Sequence, residues 1–259
     1  MATPTLNDLA QSLLTQNLPP PHASFLTPIL NPASASQRLP PLPALTATAK
    51  HRLLSSDLTA PHILDHSRAA AFPPQIADVK VVERKLGWDV VVQVLDIEDT
   101  GRSKWGQIEA MEAERKGEGM RGRQVVRVVA AEGGEGVGTT SMQGVGSEAG
   151  AGSKSNGPFK VVLQDFKGVK VYGFELKTVE KIGFPGSGSG AMSIGAKILL
   201  KKGTKVARGM VLLEPGFTTV LGGKIEGMDK LWREGREKSL RDAVGDRTRR
   251  QEHDRENVG

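Results

Sequence analysis

FKVVLQDFKGVKVYGFEL, residues 159–176, and MSIGAKILLKKGTKVARGMVLLEPGFTTVLGGKI, residues 192–225, are joined by a short loop rich in Gly and Ser. Together they decide the fold. Both stretches are short β-type runs broken by turn signals. In the first, Val161, Leu163, Val169, Val171, Gly173 and Phe174 follow the apolar–polar alternation of half-buried strands. Residues 165–168 form the turn between two runs. In the second, strands at 196–200 and 206–213 are joined by KKGTK, residues 218–221 close the sheet, and Gly222 and Gly223 end it. The pattern suits a small, strongly curved β-barrel, an architecture that more often binds than reacts.

Outward toward the N-terminus, WDVVVQVLDI at 88–97 is the strongest strand signal. It is apolar on nearly both faces, as a central barrel strand is. Residues 79–82 also enter the sheet in this reading. Between residues 97 and 159 lies a connection of about sixty residues, far longer than the few usual between strands. Residues 103–116, SKWGQIEAMEAERK, read as a helix carrying Trp105, Ile108, Met111 and Glu112, and RQVVRVV at 123–129 reads as a strand or extended arm. Residues 131–157 hold nine glycines and no aromatic, the composition of a disordered segment. Function is therefore assigned to the flanks at 105–127, and the Gly-rich centre is read as filler. PGSGSG at 185–190 is a flexible bridge between barrel halves.

The N-terminal third reads as helices. TLNDLAQSLLTQ at 5–16 turns Leu6, Leu9, Leu13 and Leu14 inward, and Pro19, Pro20 and Pro21 stop it. A second short helix covers residues 24–30, followed by a Pro/Ser linker at 31–43. Thr46 is expected to cap a third helix that runs to Leu58 and aligns Leu53, Leu54 and Leu58. Alone these helices bury too little to be stable, so they must brace on the barrel. Residues 60–78 are a second Pro-bearing connector. At the other end, residues 224–244 form a helix with a broken stripe of Ile225, Met228, Leu231, Trp232 and Leu240, weakened by Gly227 and Gly235. Residues 245–259 are expected to be a disordered charged tail. The divisions are thus 1–60, a helical bundle; 61–226, the barrel, with 99–158 inserted; and 227–259, a helix and tail.

Composition narrows the function. The chain has 259 residues, 38% hydrophobic and 4% aromatic, with 31 Gly, 15 Pro and no Cys. Part of it should stay unpacked, and disulfides, thiolate metal sites and cysteine nucleophiles are excluded. No apolar run approaches the roughly 20 residues of a membrane span, and the N-terminus has neither part of a secretory signal. Elimination leaves the cytosol or the nucleus. The net charge of +6 is carried by residues 158–226, which hold 11 basic and 5 acidic side chains. A basic barrel face meets phosphate or an acidic protein surface.

Catalytic chemistry finds little support. His62 and His66 would share a face if HILDH were helical, but no third ligand accompanies them. Asp96, Glu98 and Asp99 cluster at a strand end, where carboxylates can hold a cation or simply meet water. The glycines at 186, 188 and 190 lack the strand–turn–helix setting of a phosphate loop. No cofactor and no metal is expected. Lys197, Lys201, Lys202, Lys205 and Arg208 cluster on the last strands. Several of the barrel aromatics, Phe159, Phe166, Tyr172, Phe174, Phe184 and Phe217, are needed for the core, which favours a protein partner over a nucleic acid.

Four stretches resemble one family: HRLLSSDL (51–58), VQVLDIEDTGRSKWGQIEAMEA (92–113), VLQDFKGVKVYGFEL (162–176) and GAKILLKKGTKVARGMVLLEPGFTTVLGGKIE (195–226). The last is the most specific, with R-G-x-x-L-L-x-P at 208–215 followed by V-L-G-G at 220–223. The pattern resembles the N-terminal region of the RecQ-mediated genome instability protein 1 family, in a fungal form, over roughly residues 5–232. The resemblance implies a mainly β fold with α: a five-stranded OB-fold barrel with an enlarged first loop, preceded by a small three-helix bundle and followed by a helix. It implies a nuclear, non-enzymatic scaffold for topoisomerase III and a RecQ-family helicase, acting in dissolution of double Holliday junctions. The enlarged loop, residues 99–158 here, would modulate the topoisomerase gate. The partner-binding residues it implies are Lys197 above all, with Trp105, Ile108, Arg121, Arg123 and Arg208.

Arg115, Lys116, Arg121, Arg123 and Arg127 are offset by Glu109, Glu112, Glu114 and Glu118, so the loop is expected to contact protein, with DNA held only weakly and within the complex. Larger members carry further barrels that bind a second OB-fold subunit. This chain ends soon after its helix, as a short form, a fragment or a truncated gene model would, and that subunit is not counted among the expected partners. Two other readings stand beside the scaffold. One is an autonomous single-stranded nucleic-acid-binding barrel; the other is a carboxylate-dependent hydrolase using Asp96 or Asp99.

Overall fold

Thr5 and Asp8 start the first helix by satisfying each other's backbone: the Asp8 N–H donates to Thr5 Oγ1 at 3.2 Å and the Thr5 N–H donates to Asp8 Oδ2 at 2.9 Å. In the computed structural model, which describes residues 4–31, 40–115, 157–184 and 191–256, this helix is α1 (Leu6–Leu14). Leu9 and Leu13 are buried as expected, whereas Leu6 faces out. α2 (Ala23–Leu30) is capped by His22, whose Nδ1 accepts the Ser24 N–H.

α3 (Leu42–Ser55) begins earlier than Thr46 predicts. Pro41 holds the cap position, and a proline there fixes the backbone without sacrificing a helical hydrogen bond. Thr46 is buried a turn inside, its hydroxyl donating to the Leu42 carbonyl at 2.8 Å and hydrogen-bonded with the Ser12 hydroxyl at 3.0 Å. It joins helices instead of starting one.

The strands are β1 (Glu83–Lys85), β2 (Val90–Asp99), β3 (Phe159–Gln164), β4 (Lys170–Glu175), β5 (Lys197–Leu200), β6 (Lys205–Ala207), β7 (Met210–Leu213) and β8 (Thr218–Gly222). They form one curled sheet, a half-barrel in the order β1-β6-β7-β4-β3-β2-β5-β8. All pairings are antiparallel except β4 with β7. β2 to β5 and β7 supply the five-strand OB-fold core; β1, β6 and β8 extend its edges. Residues 79–82 lie just before β1, not in the sheet, with Val79 and Val82 exposed. The turn at Asp165 is held by its own carboxylate, which accepts the N–H groups of Lys167, Val169 and, from the Pro-bearing connector, Phe72.

β2 is apolar on both faces because both faces are covered. Val90, Val92 and Val94 point into the barrel with Val161, Leu163 and Ile198. Val91 points the other way, and with Leu199 and Phe166 it joins the leucines of α1 to α3 in a second core. The bundle is thus braced on the barrel's outer surface, as its small size requires.

α4 (Lys104–Arg115) follows β2, and α5 (Glu226–Glu256) closes the described chain. α5 continues well past residue 244, correcting the expected disordered tail. Its last turns, DRTRRQEHDRE, hold no Gly or Pro and are rich in good helix formers, so the backbone can stay helical without an apolar stripe. Residues 116–156 and 185–190 lie outside the described residues, and with them the expected strand at 123–129, all but the last of the Gly-rich residues 131–157, and the bridge.

Gly223 (φ 95°) sits where the barrel meets α3: a Cβ there would stand 2.3 Å from the Leu54 carbonyl oxygen. Gly223→Ala should therefore destabilise the protein by about 1–3 kcal/mol through strain and a forced separation of bundle and barrel. A urea denaturation midpoint unchanged from wild type would refute this.

Candidate functional site

The inserted segment leaves the barrel at the end of β2, and that end carries the acidic cluster. Its carboxylates are engaged by the fold's own donors. Asp96 Oδ1 accepts the Trp232 indole N–H at 2.6 Å and the Ile97 N–H at 2.8 Å. Glu98 lies between Lys104 at 3.4 Å and Lys160 at 2.5 Å. Burial pushes the Glu98 carboxyl up, but the two ammonium groups outweigh it and hold the group below its ordinary value. Asp99 is buried and accepts the Gly101 N–H at 2.9 Å, while its carbonyl accepts from Gln107 Nε2 at 2.9 Å. Asp96 and Glu98 both line a cleft between β2, α4 and α5, and within it each is engaged by the fold's own donors, the contacts of a structural hinge-post.

α4 is laid against α5 by a ladder of polar contacts. Arg115 pairs with Glu237, and Arg241 bridges Glu112 and Glu237. Arg236 donates to Gln107 Oε1 at 3.1 Å. Its guanidinium also lies 3.8 Å from the Phe184 ring centroid and 4.7 Å from that of Trp232, and those two rings stack at 6.0 Å. Burial pulls the Arg236 pKa down to about 10, against the charges of Asp96, Asp99 and Glu98. It stays charged at neutral pH and acts as a cationic pin through α4, α5, β2 and the loop after β4. Sequence reading placed Trp232 on an apolar stripe and did not single out Arg236; a cation four residues from a tryptophan on one helix face is the signal that was present.

The expected partner-binding residues separate. Trp105 on α4 is 55% exposed, free to contact a partner. Ile108, a turn further on, is buried. Arg208 is exposed at the tight β6–β7 turn, with φ 49° and its N–H donating to the Val81 carbonyl at 3.0 Å. Arg121 and Arg123 lie outside the described residues. Lys197 is fully buried: its Nζ donates to the Gly195 carbonyl at 2.6 Å. It is therefore an interior lysine in this structure, separate from the exposed Lys201, Lys202 and Arg208 with which its sequence spacing grouped it.

Burial lowers the Lys197 pKa from 10.5 to about 8, with Asp57 on the bundle side opposing the shift. Burial also pushes Asp57 up, but hydrogen bonds from Thr59 and Gln93 and the Lys197 charge bring its carboxyl below the ordinary value. HILDH is not helical. His62 has φ 65° in a turn, its ring tilted against that of His22 at 5.5 Å, while His66 packs on Phe166, so His62 and His66 do not share a helix face. Among the described residues no group of three or more His, Cys, Asp or Glu is placed to hold a metal ion. No described helix is long and apolar enough to cross a membrane.

A curled OB-fold sheet braced by an N-terminal helical bundle, with a long insertion pinned at its root, defines the class: an OB-fold protein built on a helical support. Residues 72–236 match the family described as "RMI1, N-terminal OB-fold domain", and residues 13–61 match "RMI1, N-terminal helical domain". The chain belongs to the RMI1 family. It is 28% identical over 146 residues to the RecQ-mediated genome instability protein 1 of Schizosaccharomyces pombe, covering 54% of this chain and 58% of that protein. The matched region thus spans little more than half of that relative's length.

Lys197 gives the site a pH signature. Its folded pKa of about 8 lies below its unfolded value of 10.5, so the unfolded chain binds more protons between those limits. Stability should rise by roughly 3 kcal/mol as pH climbs from about 8 to about 10.5. Lys197→Met should flatten that rise. Urea denaturation at both ends of the window checks it, and an unchanged slope in the variant would remove Lys197 as the cause.

Proposed function

We propose that this chain is a non-enzymatic scaffold subunit of a nuclear RecQ helicase–topoisomerase III complex. It binds the topoisomerase and modulates its gate during dissolution of double Holliday junctions. Membership of the RMI1 family is the observation that carries the reading. Its physical support is the rigid root of the inserted segment: α4, clamped by Arg115, Arg236 and Arg241, presents Trp105 outward where the chain departs from the barrel.

A scaffold alters an enzyme without chemistry of its own by binding one conformation better than another. A preference of about 1.4 kcal/mol for an open or closed gate shifts its population about tenfold. A clamped root makes such a preference transmissible, since force on the insertion is borne by the barrel and not dissipated in a loose loop.

The test is co-precipitation of the purified chain with topoisomerase III from the same organism. Wild type should bind; Trp105→Ala and Arg208→Glu should each weaken binding about fivefold or more. Deletion of residues 116–156 should leave binding in place and abolish stimulation of decatenation. Failure of wild type to bind would overturn the scaffold reading. Lys197→Ala is a poor probe, because a buried lysine acts through the fold.

A further inference from the structure

Glu175, the last residue of β4, is a carboxylate sealed in the barrel with 2% of its surface exposed. No ion pair reaches it among the described residues. Its Oε2 accepts the Phe159 N–H at 3.1 Å and its Oε1 accepts the Val179 N–H at 2.8 Å. Burial pushes the carboxyl up, and the two backbone donors offset only part of that rise. Packing alone is better served by an apolar side chain, since a buried charge without a cation is costly. What the carboxylate adds is two acceptor oxygens that hold two different segments at once.

The first segment is the exit of the insertion. Phe159 opens β3, and the chain leading to it passes over the carboxylate: a Cβ on Gly157 (φ 83°) would stand 2.6 Å from Glu175 Oε2. Facing it, the Thr100 N–H and hydroxyl both donate to the Pro158 carbonyl, at 3.0 and 2.5 Å. A Cβ on Gly101 would stand 2.3 Å from the Gly157 carbonyl oxygen. Entry and exit thus touch in a neck with no room for a methyl group. The second segment is the loop after β4, which carries Val179 and reaches Phe184. The Phe184 ring meets Phe159 edge-on at 5.6 Å and lies under the Arg236 guanidinium, which bonds Gln107 of α4. Contacts therefore run without a break from the exit, through Phe184 and Arg236, to the helix at the entry.

We propose that Glu175 is the positioning residue of the inserted segment: it fixes the exit to the loop after β4, and Phe184 and Arg236 carry that position to α4, so that both ends of the insertion move as one body. Its functional consequence rests on the scaffold reading, in which the insertion acts on the partner's gate. A segment rooted at one end swivels about that root, whereas one rooted at two coupled ends passes a displacement to the barrel. Glu175 touches no partner in this arrangement and acts wholly through residues 157–159 and the loop behind them.

The test is amide hydrogen exchange on the full chain carrying Glu175→Gln, which keeps the side chain's size but offers one acceptor oxygen where the carboxylate offers two. The amide of Phe159 or of Val179 should exchange about tenfold faster or more, because it loses a charged acceptor. The amides of α4 should quicken with it, while those of β2 and β5 keep wild-type protection. Phe184→Leu spares both hydrogen bonds of Glu175 and breaks the path, so it should quicken α4 and leave Val179 unchanged. Titrated into topoisomerase III, Glu175→Gln should lower the maximal stimulation of decatenation about fivefold or more, with half-maximal stimulation at the wild-type concentration. The proposal is overturned if both amides of Glu175→Gln exchange as in wild type, or if α4 keeps its wild-type rate in either variant. It is equally overturned if maximal stimulation is unchanged, or if only the half-maximal concentration shifts, which assigns Glu175 to the binding surface. Failure of wild type to bind the topoisomerase overturns the scaffold reading alone, and the exchange rates still decide whether Glu175 couples the two ends.

Discussion

Gln93, at the middle of β2, holds the two halves of the molecule in register. It is fully buried. Its Oε1 accepts the Leu58 N–H from the bundle at 3.0 Å, and its Nε2 donates to Asp57 Oδ1 at 2.7 Å and to Gln164 Oε1 on β3 at 2.9 Å. Lys197 is its register partner on β5. An apolar core tolerates sliding, whereas a buried amide with every donor and acceptor engaged does not, because each lost partner costs about 1–3 kcal/mol. The helix bundle can therefore sit on the barrel in one position, and the second core around Val91 and Leu199 forms around that position. Lys197 belongs to this arrangement as its charged member, facing Asp57 across the joint.

The opposite end of β2 follows a different logic. There the strand runs into the insertion, and the joint is made of ion pairs and stacked rings on the surface. Arg236, wedged against Phe184 and Trp232, ties the insertion's first helix to α5 and to the loop after β4. One end of the strand is a mount of buried hydrogen bonds, and the other is a clamp of ion pairs and stacked rings.

The alternation in residues 159–176 and the apolar run at 88–97 were legible in the sequence, because a strand's period of two survives in any context. The three N-terminal helices were legible for the same reason. What escaped reading depends on partners distant in the chain. Lys197 looks like a surface lysine until the fold brings Asp57, on another domain, toward it. Trp232 looks like core until it meets Asp96, and the six barrel aromatics, several of them needed for the core, could not be sorted between core and surface because composition cannot say which face of a strand a bundle will cover. The start of α3 was misplaced for a local reason: a buried threonine bonded to its own helix resembles a cap. The length of α5 was missed because the last turns carry no apolar stripe.

The shared core has a consequence for cooperativity. Val91, Phe166 and Leu199 are the barrel's residues by sequence and the bundle's by packing. Unfolding the bundle alone would strand these side chains in water and leave Gln93 without Leu58 and Asp57. Local opening of α1 to α3 is thereby coupled to opening of β2 and β5, and the amides of those helices and strands should exchange with solvent as one protected block, while α4, tied to α5 by surface ion pairs, exchanges sooner.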